Sequence, residues 1–124
     1  MTKNLRKLRR TVLERVRGEN VLVVGGFLGA VSAVYDALHK VVGEGLYGLC
    51  YTTLKGRPVW VNSGLSEYDT VLTCLHEVTH ASIAESDLDL ALEEEEELCD
   101  SVAEYVYNHR RFRLRDRKYI LSLF

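Results

Sequence analysis

The residues His76-Glu77-Val78-Thr79-His80 read H-E-x-x-H, the strongest chemical signal in the chain. Four residues make just over one helical turn, so on a helix His76 and His80 project from one face. Two imidazoles placed this way suit one Zn²⁺, at roughly 2.0–2.1 Å per Zn–N bond. Glu77, beside that face, is the expected general base, taking a proton from a zinc-activated water without binding the metal itself. Leu75 precedes the motif, Ala81 follows it, and no glycine or proline breaks the turn. The competing reading is two ordinary histidines and a solvated glutamate. The trio in this setting favours a zinc hydrolase, most simply a peptidase acting on a peptide or protein.

A catalytic zinc usually takes three protein ligands and keeps one position open. The remaining histidines, His39 and His109, do not follow His80 at short spacing, but the carboxylates Glu93 to Glu97 do. Adjacent buried carboxylates would repel, so most of that run is a solvated face. Leu92, Cys99, Ala103 and Val106 make an apolar stripe, and Glu96 falls on it, with Glu93 and Glu97 on its flanks. Glu96 is therefore the expected third ligand. Asp100, four residues later, is placed to accept the free N–H of a ligand histidine and fix its tautomer. Tyr105, Tyr107 and His109 read as structural or surface groups, with oxyanion stabilisation as the alternative. Gly25-Gly26-Phe27-Leu28-Gly29 lacks the Gly-Lys-Ser/Thr ending of a phosphate loop and reads as a turn or a close-packed segment.

Elements must hold these residues in place. Leu5, Leu8, Val12 and Val16 predict an amphipathic helix over 3–17, stopped by Gly18. Asn20–Val24 reads as the start of a short strand, and Leu28, Val31, Leu38 and Val42 suggest a helix after it. Leu46–Leu54 and Val59–Asn62 read as strands joined by a turn at Lys55–Pro58, giving a hairpin. Ser66 with Asp69 opens the motif helix, which runs through Ile83. Asp87–Leu90 is a connector. A last helix is predicted from about Leu92 to about Arg113, with a partly apolar tail to Phe124 that packs back on the core or serves a partner.

The chain of 124 residues suits one domain, 1–124, with one core. No apolar run is long enough to span a bilayer: glycines interrupt Val21–Ala37. No signal peptide is expected. Cys50, Cys74 and Cys99 lack motif spacing and read as reduced thiols of a cytoplasmic protein. Net charge is −2, yet thirteen of the sixteen Lys/Arg lie in residues 1–17 and 110–118, and ten of the eighteen Asp/Glu in 85–104. Basic ends that pack near the acidic segment, or are simply solvated, explain this; nucleic acid or an acidic partner is the alternative.

The H-E-V-T-H run, followed by Glu96-x-x-Cys99-Asp100-x-Val102-Ala103, resembles the glutamate-liganded zincins (gluzincins). It is most similar to very small phage-encoded metallopeptidase-like proteins and, more distantly, to ImmA/IrrE-type metallopeptidases. The resemblance covers roughly residues 46–107. It implies an α+β, zincin-like domain: a short antiparallel hairpin, an H-E-x-x-H helix and a following helix carrying the third ligand. It places His76, His80 and Glu96 on Zn²⁺, Glu77 as general base and Asp100 as the supporting acid. Cys99 stands where the family expects a small residue, often alanine. The connector between His80 and Glu96 is shorter than in the ImmA type, and no DNA-binding domain is apparent. A zinc-stabilised binding module without peptidase activity, with nucleic-acid association as one option for it, is the rival expectation.

Overall fold

The computed structural model describes residues 2–23, 47–62, 64–86 and 88–124. In chain order its elements are helix α1 (Thr2–Arg17), strands β1 (Gly48–Cys50) and β2 (Val59–Val61), and helices α2 (Glu67–Ala84), α3 (Leu92–Tyr107) and α4 (Leu114–Ser122). The arrangement is α+β, with four helices and one antiparallel hairpin among the described residues. The helix expected across Leu28–Val42, with His39, lies outside them.

Helix α2 is central and touches every other element. Twelve of its eighteen residues are buried, so it is enclosed on several sides. Buried hydroxyls on such a helix need local acceptors. Thr79 Oγ1 donates to the Leu75 carbonyl at 2.7 Å and Ser82 Oγ to the Val78 carbonyl at 2.9 Å. Ser66 caps the helix as expected: its Oγ accepts from the Asp69 N–H at 3.1 Å.

Helix α1 buries Leu8, Val12 and Val16, the face read from its period, and Leu13 beside them. It packs on α2 and α3. The Gly18 N–H turns back to the Glu14 carbonyl at 2.8 Å and closes the helix. Part of the basic N-terminus does meet the acidic segment: Arg15 pairs with Glu85 at 3.3 Å. Arg9 instead lies over the Tyr105 ring of α3, 4.1 Å from its centroid.

The hairpin pairs Gly48 with Val61, Leu49 with Trp60 and Cys50 with Val59. Strand β1 is shorter than the expected Leu46–Leu54. The turn begins early, because the Leu54 N–H folds back to the Tyr51 carbonyl at 3.1 Å and the Arg57 N–H to the Leu54 carbonyl at 2.9 Å. Gly56 and Arg57 then take φ values of 78° and 48°, in the left-handed region, and reverse the chain. Of the expected Asn20–Val24 strand, Val23 forms one parallel bridge to Val59. That contact covers the outer side of β2 and leaves β1 as an edge among the described residues.

The last helix departs from expectation. Helix α3 stops at Tyr107, and the tail forms a separate helix, α4. Asn108 ends α3 by donating its side-chain amide to the Glu104 carbonyl at 2.9 Å. Phe112 turns inward and is buried. The buried Asp116 carboxylate accepts from the Arg113 N–H at 2.8 Å and starts α4. The tail packs back: Ile120 is fully buried, and Tyr119 Oη accepts from the Val21 N–H at 3.1 Å. No helix among the described residues is long and apolar enough to cross a membrane.

Candidate metal centre

A short connector makes α2 and α3 antiparallel neighbours, and their facing side chains meet in reverse order. His76 reaches Asp100 and Glu96, whereas His80, one turn later, reaches Glu95 and Glu96. The two imidazoles stand edge to face with centroids 4.9 Å apart, as the four-residue spacing requires.

Each ring nitrogen faces a carboxylate. His76 Nδ1 lies 2.8 Å from Asp100 Oδ1, and His80 Nδ1 lies 2.5 Å from Glu95 Oε2. Glu96 spans the other side: Oε2 is 3.1 Å from His76 Nε2 and Oε1 is 3.0 Å from His80 Nε2. A neutral imidazole carries one N–H and one lone pair. If the two Nδ1–H groups donate outward to Asp100 and Glu95, two Nε2 lone pairs and a carboxylate converge with no proton among them. Two protons on each ring, or one cation at the shared corner, would satisfy all four contacts. Bonds of about 2.0–2.2 Å in a tetrahedral Zn²⁺ site separate ligand atoms by roughly 3.3 Å. The two Glu96–imidazole contacts are already near that spacing.

Cys99 offers a different donor. A ring nitrogen from each histidine and Cys99 Sγ all lie within 4.8 Å of one another, so His76, His80 and Cys99 form a group that could hold a metal ion. A thiolate and two imidazoles on zinc lie roughly 3.5 Å apart, inside that limit. Cys99 is fully buried, and burial, then Glu95 and Glu96, push its thiol well above the ordinary range. With Cys50 and Cys74 it is a free thiol.

Glu77 sits at the floor of the groove and is 6% exposed. Burial first, then the Glu96 and Asp100 charges, raise its pKa to about 8. Its position depends on Gly48. A Cβ built on Gly48 would lie 2.6 Å from Thr73 Cγ2, 2.9 Å from the Trp60 carbonyl oxygen and 3.1 Å from Glu77 Cγ. Only glycine lets β1 lie this close to α2.

The groove encloses about 900 Å³ between β1, α2 and α3. The alternation of the hairpin fixes which backbone groups face it. Tyr51 donates to the Pro58 carbonyl at 2.9 Å and Asn62 to the Tyr47 carbonyl at 2.7 Å, so alternate residues bond across the hairpin. Gly48 and Cys50 fall between them and direct their N–H and C=O groups away from β2.

The structure thus brings together His76, Glu77, His80, Glu96 and Asp100. Glu93 and Glu97 are exposed on α3. Tyr105 faces Arg9 and His109, and Tyr107 faces Tyr68, Phe112 and Arg117; none of the three lines the site's imidazole face. Sequence reasoning missed Glu95, Cys99 as a donor, and Gly48. Glu95 had a signal: if Asp100 meets His76, antiparallel packing brings His80 to a residue about one turn earlier on α3. No protein-family profile, no curated protein and no solved structure matches this chain.

Proposed function

We propose that the protein is a zinc-dependent peptidase with a zincin-like active site, and that His76, His80 and Glu96 hold the ion. One observation carries the reading: the Glu96 carboxylate lies 3.0–3.1 Å from both Nε2 atoms while separate carboxylates hold both Nδ1 atoms. Metal-binding histidines characteristically give their other ring nitrogen to a carboxylate. The arrangement agrees with the gluzincin resemblance and adds Glu95 as a second supporting acid.

When bound, zinc supplies Lewis acidity, which polarises a carbonyl and lowers the pKa of water to about 7. The chain's own residues supply the rest. Glu77, buried at the groove floor, accepts the proton of the attacking water and returns it to the leaving amine. Its raised pKa suits it to hold a proton, and a nearby divalent charge would bring it down towards neutrality. Asp100 and Glu95 keep the imidazoles in the tautomer that offers Nε2. The edge groups of Gly48 and Cys50 can pair with an extended substrate, laying its backbone along the groove as an added strand.

The test is Glu77→Gln. It should keep the zinc and the fold and lose about 10²–10⁴-fold in peptide hydrolysis. Equal cleavage by both proteins would remove Glu77 from the mechanism.

Cys99 favours a second reading. If its thiolate and Glu96 both bound the ion, four side chains would close the site. The protein would then be a zinc-stabilised interaction module without peptidase activity, the zinc serving the fold. Salt-dependent nucleic-acid binding by the basic ends would belong to that reading.

A further inference from the structure

Six carboxylates line the groove: Asp69, Glu77, Glu95, Glu96, Asp100 and Glu104. Among the described residues no lysine or arginine lines it. The protein has sixteen such side chains, thirteen of them in residues 1–17 and 110–118, so their exclusion from the lining is a matter of placement. A divalent ion offsets only two of the negative charges. Asp69 and Glu104 make no contact with the imidazoles that would explain their position.

Two features besides the acidic lining point to a ligand. Glu77 is 6% exposed, aims into the groove, and has no hydrogen-bond partner among the described residues. The rim also carries exposed apolar groups, Tyr47 at 49% and Leu92 at 76%. A tyrosine face attracts a guanidinium. A leucine covers the aliphatic stem of arginine or lysine. Carboxylates then meet the charged head. Together with the open edge of β1, these features describe a site for an extended, positively charged chain.

We infer that the groove takes cationic peptide segments, with arginine or lysine side chains flanking the backbone that lies over His76 and His80. Cleavage of such segments rests on the peptidase reading; their binding does not. Electrostatic complementarity of this kind sets specificity and the rate of association. Asp69 and Glu104 lie at the groove wall and are the specificity-determining residues in this account, with no part in holding the ion.

The experiment uses the zinc-loaded Glu77→Gln protein, so that binding is read without turnover. Fluorescence anisotropy is measured with labelled peptides of equal length that are arginine-bearing, uncharged or glutamate-bearing. The arginine peptide should bind at least about tenfold tighter than the glutamate peptide at low salt. The gap should shrink as salt screens it. Asp69→Asn and Glu104→Gln should each narrow it by roughly twofold to fivefold, the range of an exposed charge pair. Equal affinity for the arginine and glutamate peptides overturns the inference. So does a preference that neither variant reduces, or no binding of any peptide. Adding the same peptides to wild type separates the two claims. Cationic peptides that bind but are never cut leave the ligand class standing and remove the peptidase. Cleavage that ignores charge does the reverse.

Discussion

Replacing Gly48 with alanine tests the packing that brings the edge strand to Glu77. In most strands this change would stabilise the protein by about 0.4–1 kcal/mol through the unfolded chain. Here the added Cβ would lie 2.6 Å from Thr73 Cγ2 and 2.9 Å from the Trp60 carbonyl oxygen, where ordinary contacts begin at 3.4 Å. The backbone oxygen belongs to the paired strand β2 and cannot swing aside, so β1 must shift against both α2 and β2, and overpacking of this kind costs about 1–3 kcal/mol. The clash outweighs the entropic gain. For a chain of this size the cost lowers Tm by roughly 3–15 °C. Thermal and urea denaturation of the metal-free protein read it directly. Thr73→Ser removes Cγ2 but leaves the Trp60 contact, so the double variant should recover roughly 0.5–1 kcal/mol of the loss as coupling. Wild-type stability in Gly48→Ala, or strict additivity in the double variant, would refute the close approach.

Loss of the outer carboxylates should weaken metal binding without removing a ligand. Glu95→Ala and Asp100→Ala are each expected to lower zinc affinity about 10–100-fold, measured by competition with a chelating dye. Unchanged affinity in both would deny them a role. The pH dependence of the metal-free protein should carry the mark of Glu77. Its pKa is about 8 in the fold against a reference of 4.5. The folded state therefore holds the extra proton between these values. The contribution is fully present below pH 4.5 and is lost as pH rises towards 8, at up to about 1.4 kcal/mol per pH unit. Glu77→Gln should remove that slope and be relatively more stable than wild type at pH 8 than at pH 5 in urea titrations. Parallel pH profiles for the two proteins would contradict the burial.

Much of the frame was legible because helical period and turn chemistry are local. Leu8, Val12 and Val16 marked the buried face of α1, and Ser66 marked the start of α2. The H-E-x-x-H spacing and the inward register of Cys99, Ala103 and Val106 were enough to bring Glu96 and Asp100 to the histidines, whereas Leu92, read as part of the same stripe, is exposed. What stayed hidden depends on contacts between elements. The period of α3 alone does not say that Glu95 reaches around to His80, because that needs the register against α2. Cys99 reads as a small core residue until the histidines are placed above it. Gly48 is one glycine among nine in the sequence, and its close approach exists only once β1 lies on Thr73. Arg113 looked like the end of one helix, whereas that helix stops at Tyr107 and the buried Asp116 helps to start the next.

The central claim is a metal held by two histidines and Glu96 with one position open to the groove. A crystal structure of the zinc-loaded protein tests it most directly. The account predicts one ion on His76 Nε2, His80 Nε2 and the Glu96 carboxylate. Asp100 and Glu95 should remain on the Nδ1 atoms, and a water on the groove side should lie within hydrogen-bond reach of Glu77. An ion enclosed by His76, His80, Glu96 and Cys99 with no water, or no ion between the histidines at all, would contradict it.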